Sequence, residues 1–229
     1  MIMNDINELE NKIGYVFKNK HLLTQALTHS SYANERKINR INDYERLEYL
    51  GDAVLELIVS EHLFSTMSGS NEGQLTKVRA SYVCEYTLST CAKDLDYGKY
   101  VLLSKGENLS GGRERTSILC DLFESVLGAI YLDSGMESAR KYVQDYLLKD
   151  IENKSLFYDA KTHLQELVQK EIKQEISYKL IDEVGPEHSK QYTTCVFIGD
   201  KEVAKGRGQS HKASEQMAAY EALLILKNK

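Results

Sequence analysis

Three carboxylates, Glu45, Glu48 and Asp52, stand at i, i+3 and i+7 of the segment ERLEYLGD. Helical geometry puts all three on one face within two turns. Leu47, Leu50 and Val54 fall on the opposite side as a core stripe. A second pair, Asp121 and Glu124 of DLFE, is again at i and i+3. Its neighbours are Ile118, Leu119, Cys120, Leu122, Phe123, Val126 and Leu127. Carboxylates in so apolar a helix need partners, because an uncompensated buried charge is costly. If the two helices pack together, their acids form an oxygen-rich site of the kind Mg²⁺ prefers. Covered by divalent cations, such a site can take phosphate despite its own negative charge. Spacing alone leaves a solvated acidic face open for Glu45, Glu48 and Asp52, since such pairs are common on exposed helices. The apolar setting of Asp121 and Glu124 weakens that reading for the second pair. His29, in THSS, reads as structural rather than catalytic.

The elements that must position these acids are helices. Of the 229 residues 42% are hydrophobic, enough for a core, and a single proline favours helix. Helical apolar spacing covers Leu22 to Leu27, Leu47 to Ile58, Val78 to Cys91, Ile118 to Leu132 and Ser138 to Ile151. Stretches near Ser68–Gly73 and Ser110–Gly112 read as loops. Periodicity pauses around Lys149–Tyr158, with 153–158 as the candidate linker. Beyond it come a helix from Lys161 to Ile172 and short β-rich runs at Ile176–Val184, Tyr192–Gly199 and Lys201–Lys205. Turn signals stand at Gly185-Pro186 and Gly199-Asp200, and a last helix runs from Ala213 to Leu226. The expected fold is therefore an all-α domain over 1–152, then a small α+β (αβββα) domain over 159–229.

Net charge is −5, which by itself speaks against a nucleic-acid partner. From Tyr158 onward, however, 11 basic residues balance 11 acidic ones, so the excess falls on the first domain. Cys84, Cys91, Cys120 and Cys195 form no CxxC pair; they argue against a zinc site and read mostly as small buried hydrophobes in a reducing compartment. No apolar run approaches the roughly 20 residues a membrane span needs. Residues 1–10 lack the apolar stretch of a signal peptide, so a cytoplasmic location without membrane attachment is expected.

Asp43–Leu57, DYERLEYLGDAVLEL, resembles the signature of bacterial ribonuclease III. Ile13–Ser31, IGYVFKNKHLLTQALTHSS, looks like the N-terminal helices of that family. Asn71–Ala80, NEGQLTKVRA, and Ile118–Asp133, ILCDLFESVLGAIYLD, resemble its later blocks in the same order. The resemblance implies an endonuclease domain in which Glu48, Asp121 and Glu124 ligate Mg²⁺, with Mn²⁺ able to substitute. It makes Asp52 and Glu124 the catalytic residues, and gives Glu45 and Glu72 cleft or outer-shell roles. It implies a homodimer with Tyr49 at the contact; periodicity leaves core packing of Tyr49 in its own subunit equally open. It further implies hydrolysis of double-stranded RNA, leaving 5′-phosphate and 3′-hydroxyl ends with short 3′ overhangs, and roles in rRNA precursor and mRNA processing. No organic cofactor is implied. The chemistry agrees with the acids: divalent ions can supply activated water, charge neutralisation and leaving-oxygen stabilisation without a protein nucleophile.

The tail resembles the family's double-stranded-RNA-binding domain. Thr162, Gln165 and Glu166 share one helix face and can bond 2′-hydroxyls, and His188 sits in the turn after Gly185. Ser210, His211 and Lys212 open the last helix after Gly206-Arg207-Gly208, a phosphate grip. Such domains read A-form shape across about 16 base pairs. Each motif alone is weak, since GxG segments, GP turns and polar helix faces are common. The family usually opens this helix with two or three basic residues. Here His211, Lys212, Ala213 give one assured cation fewer, so weaker affinity and a shallower salt dependence are expected. Two rival readings remain at this stage. A binding-only protein would not need Asp121 and Glu124, and an acidic helical scaffold leaves the tail unexplained.

Overall fold

The computed structural model describes residues 3–37, 39, 42–151, 160–185 and 190–227. The chain forms two compact units, Met1–Ile151 and Glu152–Lys229. The expected linker 153–158, and Pro186 and His188 of the expected turn, lie outside the described residues.

The first unit is helical: α1 (Met3–Ile13), α2 (Lys20–Ala26), α3 (Ser30–Glu35), α4 (Glu45–Thr66), α5 (Glu72–Tyr82), α6 (Glu85–Asp94), α7 (Tyr97–Tyr100), α8 (Lys105–Leu109), α9 (Thr116–Ser134) and α10 (Met136–Tyr146). Among its described residues the only β-type pairing is an isolated bridge, Thr28 to Leu102. At its centre α9 is apolar nearly all round, with Ile118, Leu119, Leu122, Phe123, Val126, Leu127 and Ile130 buried. Such a helix belongs inside a bundle rather than on its surface. Against it lies the apolar stripe of α4: Leu47, Val54, Leu55, Ile58 and Leu63. Ser125, buried on α9, donates from Oγ to the Ala26 carbonyl at 2.8 Å and ties α2 to the pair.

The helix expected over Val78–Cys91 is two helices. Val83 and Cys84 break it, because Cys84 adopts extended backbone and starts α6. The turn is held by Thr87, whose Oγ1 donates to the Ser81 carbonyl at 2.9 Å. Similarly, the helix expected to reach Ile151 ends at Tyr146, followed by a 3-10 turn at Leu148–Asp150.

The second unit has α11 (Ala160–Leu167), extended by a π turn at Val168–Ile172, then β1 (Ile176–Val184), β2 (Gln191–Ile198), β3 (Lys201–Gly208) and α12 (His211–Lys227). The strands form an antiparallel sheet in the order β1-β2-β3. Gly199, at φ +57, makes the β2–β3 turn. Val196, Ile198 and Ala204 pack on Ala160, Leu164 and Val168 of α11 and on Ala218, Ala219, Ala222 and Leu223 of α12. The αβββα order stands as expected, but β3 runs three residues beyond Lys205. A Cβ on Gly206 would sit 2.1 Å from the Ala218 nitrogen, and one on Gly208 2.5 Å from the Ser214 nitrogen. These glycines let β3 lie directly on the α12 backbone, a packing role that the sequence pattern did not show.

Candidate active site

The acids converge because two helices touch backbone to backbone. A Cβ on Gly51 of α4 would lie 1.9 Å from the Glu124 carbonyl oxygen of α9. One on Gly128 of α9 would lie 2.2 Å from the Leu47 carbonyl oxygen of α4. Only glycine fits at either point. One residue after Gly51 comes Asp52, three before it is Glu48, and Glu124 is the residue whose backbone Gly51 meets. The crossing therefore brings the acids of both helices together.

Electrostatics record that convergence. Burial pushes the Glu124 carboxyl up to about 8, with Asp52, Glu48 and Asp121 adding to the rise. Burial lifts Glu48 to about 7, reinforced by Asp121, Glu45 and Asp52. Asp121 is also raised by burial, but the Tyr44 hydroxyl opposes this by donating to its Oδ2 at 2.9 Å. Tyr44 is itself buried at the start of α4, and the His29 ring packs edge-on against it with centroids 5.5 Å apart. His29 caps α3, its Nδ1 accepting the Ser31 amide at 3.0 Å, the structural role expected of it.

Among the described residues, no lysine or arginine forms an ion pair with Glu48, Asp52, Asp121 or Glu124. Like charges gathered without a counter-ion are costly, and a divalent cation relieves that cost with the oxygen donors it prefers. Asp121, Glu124 and the Cys120 thiol present ligand atoms within 4.8 Å of one another. The donor set fits a metal ion.

Not every expected acid joins the cluster. Glu45, in the first turn of α4, is exposed beside it and contributes to the rise of Glu48. Glu72 opens α5 and lines a different cleft with Ser60, Phe64, Leu75 and Arg79. It is not among the main charges acting on Glu48, Asp121 or Glu124. Tyr49 is 82% exposed, which excludes core packing in its own chain. With Leu57 and Phe64 (77% exposed) it leaves an apolar side of α4 bare.

In the second unit Thr162, Gln165 and Glu166 are exposed on α11, away from buried Ala160, Leu164 and Val168. Ser210 caps α12, its Oγ accepting the Ala213 amide at 3.1 Å, so that hydroxyl is already engaged by its own helix. His211 and Lys212 are exposed on the first turn. The His211 ring packs at a tilt against Tyr192 of β2, with centroids 4.4 Å apart. Sequence reasoning missed Tyr44, Tyr192 and the glycine crossing. Only the paired small residues Gly51 and Gly128, each in a segment of bulky apolar residues, signalled the last of these.

The Ribonuclease-III-like family model matches residues 19–151, and the double-stranded RNA binding motif matches residues 160–226. Ribonuclease 3 of Caldanaerobacter subterraneus subsp. tengcongensis is 47% identical over 218 residues, spanning 94% of this chain and 95% of that protein. Ribonuclease 3 of Oceanobacillus iheyensis is 43% identical over 226 residues, spanning 98% and 99%. The crystal structure of the nuclease domain of ribonuclease III from Campylobacter jejuni is 40% identical with a TM-score of 0.60, covering 65% of this chain and 97% of that one. The order of the two matched regions agrees with the helical unit and the αβββα unit. The chain therefore belongs to the ribonuclease III family, as an endoribonuclease that joins a nuclease domain to a double-stranded-RNA-binding domain.

Proposed function

We propose that the chain hydrolyses phosphodiester bonds of double-stranded RNA in a Mg²⁺-dependent reaction, with the cluster on α4 and α9 as its site. The observation that carries this reading is the clustering of Glu48, Asp52, Asp121 and Glu124 where α4 meets α9, without a described cationic partner. Glu48, Asp121 and Glu124 are the proposed ligands, and Asp52 and Glu124 the residues whose loss stops catalysis. A bound Mg²⁺, or Mn²⁺ in its place, supplies an activated water and charge neutralisation at the phosphate. The chain's own groups do the rest. Tyr44 holds Asp121 in one orientation by its hydrogen bond. The Gly51–Gly128 crossing fixes the spacing of the two helices, and Glu45, beside the cluster, extends its field toward solvent. Glu72, which lines a separate pocket, is proposed to face the RNA rather than the metal's outer shell.

The reading extends to a homodimer, supported by the bare apolar side of α4, with Tyr49 at the contact. The nuclease domain occupies 1–152 and the RNA-binding domain 159–229, joined by 153–158. In the latter, Thr162, Gln165, Glu166, His188, Ser210, His211 and Lys212 are the proposed RNA contacts. Exposure of the α11 face and of the first turn of α12 supports all of these except His188, which lies outside the described residues. No helix among the described residues is long and apolar enough to cross a membrane; the cytoplasm is the proposed location. The proposed targets are rRNA precursors and mRNAs.

The test is a long RNA duplex incubated with the protein in Mg²⁺ or in EDTA, with product ends mapped. The reading expects cleavage in Mg²⁺ alone, giving 5′-phosphate and 3′-hydroxyl ends with short 3′ overhangs. Cleavage in EDTA, or of single strands at a comparable rate, contradicts it.

A further inference from the structure

Lys161 stands on α11 directly before Thr162 and one helical turn before Gln165. Its ammonium is held across three elements. The Nζ pairs with Oε2 of Glu215 on α12 at 2.6 Å and lies 4.6 Å over the ring centroid of Tyr178 on β1. Tyr178 is itself packed against the core of the second unit. Burial lifts the Tyr178 hydroxyl to about 12, and the charge of Glu215 adds to the rise, so the three groups share one notch. Glu215 is the first acid of α12 and follows His211 and Lys212 at i+4 and i+3, on their side of the helix. The pair therefore stands between the proposed RNA contacts of α11 and those of α12. With side chains 39% and 31% exposed, it adds little to stability, and its main effect falls on the charge that the surface presents.

We infer that Glu215 restrains duplex binding by holding Lys161 against Tyr178 and away from the phosphates, so that this pair sets the affinity and salt dependence of the second unit. The inference rests on the proposed RNA contacts of α11 and α12. A lysine locked to a carboxylate and an aromatic face neutralises no phosphate, whereas a released one does. Neutralising Glu215 therefore frees Lys161 as a further phosphate contact. Removing Lys161 instead leaves an unmasked carboxylate one turn from Lys212, where it repels phosphate. Removing both charges restores the balance of the intact pair.

The test measures binding of the full-length protein in EDTA to a short blunt RNA duplex, by fluorescence anisotropy across a series of KCl concentrations, with thermal unfolding beside it. Each added phosphate contact steepens the slope of log K against log salt by about 0.9, which is worth up to roughly eightfold in affinity near 0.1 M salt. Glu215→Gln is expected to bind roughly three- to eightfold tighter there, with a slope steeper by about 0.9. Lys161→Met is expected to bind more weakly than the wild type, and the double variant Lys161→Met/Glu215→Gln to return to wild-type affinity and slope. Glu215→Gln with wild-type affinity and slope overturns the inference. So does a double variant whose slope falls by about 0.9, because Lys161 would then already touch phosphate in the wild type. A purely structural pair would instead lower Tm and weaken binding in all three variants alike, which also overturns it. Lys212→Ala separates the two levels: if it lowers the slope while Glu215→Gln leaves the slope unchanged, the inference fails alone, and if neither moves the slope, the contact reading fails with it.

Discussion

Replacing Gly51 by alanine adds one methyl group, yet it places a carbon 1.9 Å from the Glu124 carbonyl oxygen and 2.6 Å from its carbonyl carbon. Ordinary contact begins near 3.4 Å, so α4 and α9 must part by about 1.5 Å along that direction. The obstacle is backbone of a buried helix, which cannot swing aside as a side-chain tip would. Overpacking of this kind costs about 1–3 kcal/mol, and here the upper end applies. Alanine returns about 1 kcal/mol of helix propensity. The net loss of about 2 kcal/mol lowers Tm by roughly 4–8 °C. The larger effect is on chemistry. The displaced segments carry Glu48, Asp52 and Glu124, and a misplacement of about 1 Å costs on the order of 100-fold in rate. The assay is the initial rate on a long RNA duplex in saturating Mg²⁺, well below Tm, beside thermal unfolding by circular dichroism. Gly69→Ala is the control, because a Cβ there meets nothing within 4 Å. Gly51→Ala with the wild-type rate and Tm would refute the claim that this crossing sets the site.

Other outcomes follow from the same residues. Glu48 and Glu124 have folded pKa values of about 7 and about 8, both above their ordinary 4.5. The folded state thus holds these protons more tightly than the unfolded chain, and metal-free stability falls as pH rises from about 4.5 to about 8. In EDTA, Tm should decline across that window, and added Mg²⁺ should restore it most at the alkaline end; equal Mg²⁺ effects at both ends would count against the shared site. Tyr44→Phe removes the donor to Asp121 Oδ2 and should weaken Mn²⁺ binding, read by electron paramagnetic resonance, by roughly 10- to 100-fold. Unchanged Mn²⁺ affinity would show that the hydrogen bond serves only packing. Lys212→Ala should lower duplex affinity and reduce the slope of log K against log salt by about 1. An unaltered slope would remove Lys212 from the phosphate contacts.

The acids of α4 and α9 were legible because their roles depend on local spacing, and a helical period of 3.6 translates spacing into a shared face. The same holds for αβββα, where periodicity changes from strand to helix at Ser210. What was hidden depends on contacts between distant segments. Tyr44 meets Asp121 across 77 residues, and no local pattern announces that bond. Gly51 looks like a weak spot in α4 until Gly128 stands opposite it. Gly206 and Gly208 carried the signature of a loop, and only the backbone of α12 beneath them explains why β3 continues through both. The break at Val83–Cys84 escaped notice because the apolar spacing runs on across it while the backbone does not.

The central claim, that the carboxylates on α4 and α9 are the catalytic metal site, is tested most directly at Glu124. Glu124→Gln keeps the shape of the side chain and removes one of the charges crowded there. The variant and the wild type are to be incubated with a long RNA duplex, with and without Mg²⁺, while duplex binding is measured separately by gel shift in EDTA. The account predicts cleavage by the wild type in Mg²⁺ only, no cleavage by the variant, and equal duplex binding by both. Equal cleavage by the two proteins would contradict it.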